Sequence, residues 1–286
     1  MRKFLLSLSA SMQLISILGM TVVMAFFIAA FINRIFEIPI LIKNIDVITA
    51  VYQVLGTLYA VLLAFAVSGV WQNFSKAILS VQTEANTISD LVHMIEYSAL
   101  EKSQNIRHAV LSYLKLVVEQ EWQLLGRMGS GLAIPQEISR SASTSIIHHV
   151  LSMKPVSNVD IVIYGQILSL LNNWLDARRT RILIAKGNSA KALWPLLIFG
   201  AFVLFGFHGL FVIKEPEMWT LLLSMLSLIV GLCFYLVFSL DSPFTGKPYV
   251  DSAPFKWAIN LLENESMASE KNILTNDINR DHEEVL

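Results

Sequence analysis

Four long apolar stretches without a charged residue constrain this chain more than any other feature. They cover residues 4–33, 47–75, 192–213 and 218–240. Each is longer than the about 20 residues that an α-helix needs to cross the hydrocarbon core of a bilayer. Only helices and closed barrels satisfy the backbone in lipid, and the stretches lack the strict alternation of barrel strands. We therefore predict four membrane-spanning helices, over about 10–33, 47–71, 192–213 and 218–240.

The composition favours a membrane protein over a soluble one. Hydrophobic residues make up 55% of the chain and charged residues 15%, and the mean hydropathy is +0.59. A soluble domain carries about 25% charged residues. The formal net charge of −1 argues against nucleic acid as a partner. Cys233 is the only cysteine, which rules out an internal disulfide and a paired-cysteine metal site.

Basic residues beside the spans predict the orientation of the chain. Arg2 and Lys3 precede the first span, and a group of basic residues from Arg178 to Lys191 precedes the third. The connections 34–46 and 214–217 carry fewer. Both termini and the segment 76–191 are therefore predicted to face the cytoplasm. The spans then form two hairpins, within 1–75 and 192–240.

The segment 76–191 is predicted to be a helical region outside the membrane. Apolar residues recur every three or four positions from Ile78 to Ile95, as on one face of a helix that continues the second span. Further helices are predicted over 106–125 and 136–151, and from Val159 onward. No stretch has the alternation of a strand. The predicted fold class is therefore an all-α membrane protein with a helical cytoplasmic region between the second and third spans.

After the fourth span the chain becomes more polar and contains several prolines. Residues 241–262 are predicted to form a cytoplasmic, membrane-proximal segment in which prolines prevent a long helix. The residues concerned are Pro243, Pro248 and Pro254, together with Gly246. Residues 263–286 are polar and net acidic, and we predict a disordered tail there.

The second span has one face of small or polar residues along its length. At about 100° per residue its members lie within an arc of about 80°. They are Gln53, Thr57, Ala60, Ala64, Ser68 and Trp71. Small residues let membrane helices approach closely, so this face suits helix packing. It also suits a pore wall, if one such helix per subunit surrounds a symmetry axis, although it offers no charged ring for ion selectivity.

Two other groups are candidate sites. Arg178, Arg179 and Arg181 either hold the cytoplasmic end of the third span or contact an anion or a lipid headgroup, which suits the two-donor fork of arginine. His208 lies inside the third span, toward its outer end. It is either an interfacial histidine or a pore-mouth, proton-sensing group.

Catalytic signatures are scarce. The chain has no nucleophile elbow, phosphate-binding loop, zinc-protease motif or dinucleotide fingerprint. His148 and His149 are adjacent on a helix and point about 100° apart, so they do not readily share a metal ion. Glu119 and Glu121 lie on different faces of a predicted helix and form no acid/base pair. We therefore predict no enzymatic activity, no metal site and no cofactor.

An ordered set of residues resembles the bacterial bestrophin-like family of membrane proteins. The set extends over about residues 50–257. It comprises the runs from Val51 to Phe65 and from Val70 to Phe74, the pairs Glu84-Ala85, Glu121-Trp122, Leu193-Trp194 and Pro254-Phe255, the residues Arg178 and Arg181, and the run from Leu240 to Gly246.

The resemblance implies two membrane hairpins around a cytoplasmic helical region, in the inner (plasma) membrane of a bacterium. By extension to bestrophins it implies a homo-oligomeric ion channel, a pentamer by analogy, whose second span lines the pore. Membrane lipids and a permeant inorganic ion are then the partners. The acidic calcium-binding cluster that follows the last span of animal bestrophins is missing, since Asp241 stands alone before Pro243. We therefore do not predict gating by calcium.

Other functions fit the same topology. The size of the 76–191 segment suits a membrane-anchored interaction or signalling protein whose cytoplasmic helices bind a partner. An ion-driven stator subunit also has four spans and a large cytoplasmic loop between the second and third. The residues that carry the resemblance favour the bestrophin-like interpretation.

Overall fold

The structure is a computed structural model of the chain and describes residues 9–98, 103–125, 138–186, 192–211, 215–245 and 248–265. Every regular element within these ranges is helical. In chain order they are α1 (Ala10–Ile35), α2 (Ile38–Lys43), α3 (Ile45–Tyr97), α4 (Ser103–Leu116), a π-helical turn (Val117–Glu121), α5 (Trp122–Leu125), α6 (Arg140–Leu151), α7 (Asn158–Lys186), α8 (Trp194–His208), α9 (Pro216–Leu240) and α10 (253–265).

The chain divides into two compact units. The first, which we call the apolar-helix unit, comprises Met1–Ser75 and Gly187–Tyr249. The second, which we call the ion-pair unit, comprises Lys76–Lys186 and Val250–Leu286. Helix α3 contributes its first part to one unit and its second part to the other.

Three helices of the described chain are long and apolar enough to cross a membrane: α1, α3 and α9. The bounds of α1 and α9 agree with the predicted first and fourth spans to within two residues. Helix α1 begins where the Ser9 hydroxyl accepts a hydrogen bond from the backbone N–H of Met12, at 3.3 Å. Helix α3 begins at Ile45 and continues past the predicted second span, as its amphipathic extension predicted.

The predicted third span is only partly helical. Helix α8 has 15 residues, fewer than the about 20 of a full crossing. It has Pro195 in its first turn and ends before Gly209, where the chain turns. The described part of the chain therefore contains three long apolar helices and one shorter one. The layout of four spans in two hairpins stays a prediction.

Small residues set the packing of the apolar-helix unit, in which α1 contacts both α8 and α9. A Cβ atom added to Gly209 would lie 2.4 Å from the backbone oxygen of Ala29, and one added to Gly231 would lie 2.9 Å from Leu18. Tyr59 of α3 donates a 2.9 Å hydrogen bond to the backbone oxygen of Leu197 in α8. Close backbone approach and a few hydrogen bonds thus hold helices whose large side chains mostly face outward.

The ion-pair unit has a conventional apolar core. The predicted apolar face of α3 is buried there from Val81 to Ile95, while Ile78 is partly exposed. Helix α4 packs against α6, and α7 contacts α5 and α6. The π-helical turn at Val117–Glu121 interrupts the helix that we predicted over 106–125.

The segment after the fourth span differs from the prediction. We expected its prolines to prevent a long helix, but Pro254 lies in the first turn of α10, where a missing N–H costs no hydrogen bond. Helix α10 also extends to residue 265, three residues into the predicted disordered tail. The rest of that tail lies outside the described residues.

Candidate functional site

A buried ion-pair cluster lies in the ion-pair unit. Arg181 of α7 faces two carboxylates from different elements, Glu84 of α3 and Glu121 of the π-helical turn. Its Nε and Nη2 donate to the two oxygens of Glu84, at 2.7 and 3.0 Å. Its Nη1 lies 2.7 Å from Oε1 of Glu121. All three side chains are fully buried, so one guanidinium joins three separate segments of the chain.

Hydroxyl groups complete the cluster. The phenol of Tyr113 in α4 donates to Glu84, and the hydroxyl of Ser139, which precedes α6, donates to Glu121. Nη2 of Arg178 donates to Oγ of Ser139 at 2.8 Å. Two carboxylates and two guanidinium groups are thus linked by direct contacts or through one hydroxyl. A buried charged network is stable only when its members have such partners.

Aromatic rings enclose the guanidinium of Arg181. Its central carbon lies 5.8 Å from the ring centre of Trp122 and 5.5 Å from that of Phe255, in cation–π range. The two rings also contact each other edge to face, at 5.7 Å between centroids. Phe255 belongs to α10, so this contact attaches the last described helix to the core of the unit.

The electrostatics of the cluster keep Arg181 and Tyr113 each in one protonation state. Burial by itself lowers the pKa of Arg181, but the charges of Glu84 and Glu121 outweigh it and hold the pKa well above its usual value. Burial also raises the pKa of Tyr113 well above its usual value, and the charge of Glu84 adds to the effect. The arginine is therefore charged and the phenol neutral throughout the physiological range.

One of the two glutamates in the π-helical turn enters the cluster. Glu121 and Val117 are both buried, whereas Glu119 is exposed. The two glutamates therefore point in different directions, as the sequence predicted, but the buried contact of Glu121 with Arg181 is a finding of the structure. Such π-helical turns are often found at functional sites. Glu84, Glu121, Trp122, Arg181 and Phe255 all belong to the set that carries the family resemblance, which was the available signal that they share a site.

The predicted arginine trio separates in the structure. Arg181 pairs with two carboxylates in the core, an environment that does not suit the predicted contact with an anion or a lipid headgroup. Arg178 is partly buried beside Ser139. Arg179 is 69% exposed and pairs with Asp176, three residues earlier, at 3.1 Å. Within the described residues, no three His, Cys, Asp or Glu side chains are grouped so as to hold a metal ion.

The six predicted pore-lining residues occupy an exposed face of α3 in the apolar-helix unit. Each of them, from Gln53 to Trp71, is exposed. Another face of the same helix is buried, at Tyr59, Leu63, Ala66 and Val70. The small and polar face is thus not the face that packs within its own unit.

His208 is enclosed by aromatic rings in the apolar-helix unit. Its Nδ1 lies 3.4 Å from the Tyr52 hydroxyl, and its ring lies 5.9 to 6.2 Å from the rings of Tyr52, Phe211 and Trp219. The side chain is 6% exposed. Little of the imidazole is exposed, and both interpretations of His208 stay predictions.

A family model for the bestrophin-like domain matches residues 12–255, most of the chain. The chain therefore belongs to the bestrophin-like family, which is a family of membrane proteins. The whole buried cluster and the six exposed residues of α3 lie inside the matched region.

Solved structures share the fold. The chain is similar to a bacterial bestrophin homologue from Klebsiella pneumoniae, with 16% identity, a TM-score of 0.55, and 87% of this chain and 97% of that one covered. A mutant of a Klebsiella pneumoniae bestrophin homologue matches with 14% identity, a TM-score of 0.58 and coverage of 87% and 96%. A variant described as a membrane protein matches with 16% identity, a TM-score of 0.58 and coverage of 87% and 97%. No curated protein sequence matches the chain.

Proposed function

We propose that this chain is one subunit of a homo-oligomeric ion channel in a bacterial inner membrane and that α3 lines the pore. Family membership supports the class of protein, because bestrophins are ion channels. The observation that carries the assignment of α3 is its exposed face of small and polar residues. A face that is neither apolar enough for lipid nor buried within its own unit suits a water-filled axis between subunits.

The proposed assembly is a ring, a pentamer by analogy with bestrophins. Both termini and the ion-pair unit lie in the cytoplasm. Helix α8 and its flanking turns form the predicted third span. The three long apolar helices form the other three spans. Arg179, the exposed member of the arginine trio, stays the candidate for contact with lipid headgroups, with Arg178 beside it.

The uncharged side chains of the proposed pore wall predict weak discrimination between anions and cations along α3. Gln53, Thr57 and Ser68 offer amide and hydroxyl groups, and Ala60 and Ala64 leave room for water. None of these side chains carries a charge, so discrimination between anions and cations has to come from another part of the assembly.

Cysteine accessibility tests the pore wall. In a Cys233→Ala background, which removes the only native cysteine, Ala64→Cys places a thiol on the proposed pore face. Leu58→Cys is the matched control, because Leu58 is also exposed but lies about 120° around the helix. We expect a charged methanethiosulfonate reagent to reduce ion flux through Ala64→Cys in liposomes and to leave Leu58→Cys unchanged.

Two results would contradict the proposal. Equal inhibition at both positions would remove α3 as a pore wall with this orientation. A monomeric particle that passes no ion at any tested pH would remove the channel itself. The membrane-anchored interaction protein would then become the working hypothesis.

A further inference from the structure

The connection between α1 and α3 exposes large apolar side chains to an unusual extent. Phe36, Ile38, Ile40 and Ile42 are each between 46% and 58% exposed, and Leu41 is the buried member of the group. Soluble proteins rarely leave such contiguous apolar surface in water. Something apolar has to cover residues 36–44.

The surface on either side of this connection indicates what covers it. Phe31 and Ile35 at the end of α1 are exposed, and so are Val47 and Val51 at the start of α3. Both helices are long and apolar enough to cross a membrane. Exposed apolar side chains therefore recur along the connection, as they do on the two helices that it joins, with exposed charged residues between them.

The backbone of the connection is largely satisfied from within. The N–H groups of Ile40 and Leu41 donate to the backbone oxygen of Glu37, at 3.1 and 3.3 Å. The side-chain amide of Asn44 donates to the backbone oxygen of Ile40 at 2.8 Å. Pro39 has no N–H group that would need a partner. Internal pairing is the condition for placing backbone at the edge of the hydrocarbon, where water is scarce.

We propose that residues 36–44 form an interfacial anchor that lies at the boundary between headgroups and acyl chains of the bilayer. The isoleucines enter this boundary, and the exposed charged residues beside them extend to the headgroups. These charges are Arg34, Glu37, Lys43 and Asp46, which sum to zero. The anchor therefore binds neutral and anionic lipid alike. It fixes the depth of the connection between α1 and α3.

A depth measurement tests the anchor in the full chain. In the Cys233→Ala background, Ile40→Cys carries an environment-sensitive fluorophore, and Lys43→Cys is the matched control three residues away. The protein is reconstituted in phosphatidylcholine vesicles, with nitroxide-labelled lipid as the shallow quencher and iodide as the aqueous quencher. A probe about 5–10 Å below the headgroups should be quenched by iodide about threefold less than the control.

Three outcomes would overturn the anchor. Equal iodide quenching at both positions would place the connection in water. Protection of the Ile40 probe from both quenchers would show that a second copy of the chain covers it. A marked change when phosphatidylglycerol is added would mean that charge, rather than apolar insertion, holds it. The measurement reports only the depth of the probe. A chain that conducts no ion can therefore still show the expected depth, and a depth that contradicts the anchor leaves the pore proposal intact.

Discussion

The two units solve opposite packing problems with the same element, the α-helix. In the apolar-helix unit many large side chains face outward, as Phe27 and Phe65 do, while Ala25 and Ala29 are fully buried. In the ion-pair unit large side chains fill the core, among them Trp174, and a charged cluster lies within it. Lipid covers apolar side chains as well as a core does, so the first unit gains little by burying them. Water imposes the reverse arrangement on the second unit.

The two units also differ in how they respond when a contact is lost. Removing one partner from a buried charge network leaves an unpaired charge, which is costly, whereas close helix packing fails by steric conflict. The two units should therefore respond to different kinds of substitution.

Arg181→Met should be the most damaging single change in the ion-pair unit. It leaves the carboxylates of Glu84 and Glu121 buried without their cation, and such a loss costs about 3–5 kcal/mol of unfolding free energy. Arg179→Met is the control, because an exposed pair contributes about 0–1 kcal/mol. Thermal unfolding of the purified protein measures both.

A rescue variant separates lost charge balance from lost packing. Combining Arg181→Met with Glu84→Gln and Glu121→Gln removes all three charges, and we expect much of the stability to return. If Arg181→Met unfolded at the same temperature as Arg179→Met, the cluster would not be the structural centre that its geometry indicates.

Gly209→Ala should disturb the apolar-helix unit by overpacking. The new Cβ would lie 2.4 Å from the backbone oxygen of Ala29, which cannot rotate away. The expected cost is about 1–3 kcal/mol. Gly19→Ala is the matched control in α1, because nothing lies within 4 Å of its Cβ position, and alanine favours a helix by up to about 1 kcal/mol. Opposite shifts in thermal stability are expected, and parallel shifts would argue against close packing at Gly209.

Tyr113→Phe should weaken the ion-pair unit by about 1–3 kcal/mol, since the Glu84 carboxylate loses a buried donor. It should also change the response to alkali. Burial raises the pKa of Tyr113, so the unfolded chain loses the phenol proton before the folded one does. The stability from this group is therefore complete below about pH 10 and falls as the pH rises further. We expect Tyr113→Phe to lose stability less steeply than the wild type above that pH, and Tyr97→Phe, at an exposed position, to follow the wild type.

Asp160 should give the smallest effect, at the start of α7. Its carboxylate accepts hydrogen bonds from the backbone N–H groups of Ser157 and Val156, at 2.8 and 3.3 Å, and Ser157 caps the helix in return. The N–H and hydroxyl of Ser157 lower the pKa of Asp160. Its contribution is present above about pH 4 and is lost as the pH falls through the lowered pKa. Hydrogen exchange in the first turn of α7 should quicken in Asp160→Asn, and unchanged exchange would contradict the cap.

Much of the helical architecture could be predicted from local pattern. The apolar stretches predicted α1 and α9 to within two residues, and the three-to-four repeat from Ile78 to Ile95 predicted that α3 continues beyond the second span. These predictions succeed because hydrophobic length and periodicity act within one helix. The shortness of α8 was missed, since a charge-free stretch marks apolar surface and does not show where turns at Gly209 end the helix.

The charged site could not be predicted in the same way. Arg181 was grouped with its neighbours Arg178 and Arg179 as a cytoplasmic or headgroup-binding cluster. Its partner Glu84 is 97 positions away in the sequence, and its partner Glu121 belongs to another element, the π-helical turn. Neither fact has a periodic signal in a single sequence.

The amino-acid sequence by itself determined that this is a helical membrane protein and which residues make the polar face of α3, because hydropathy and the 3.6-residue repeat are local properties. Only the tertiary structure decided that Arg181 belongs in the core, that Glu121 rather than Glu119 faces it, and that the polar face of α3 is left uncovered by its own unit. Each of these depends on which distant segment lies opposite a side chain. Burial and charge pairing depend on contacts between distant segments. Local sequence patterns do not predict those contacts.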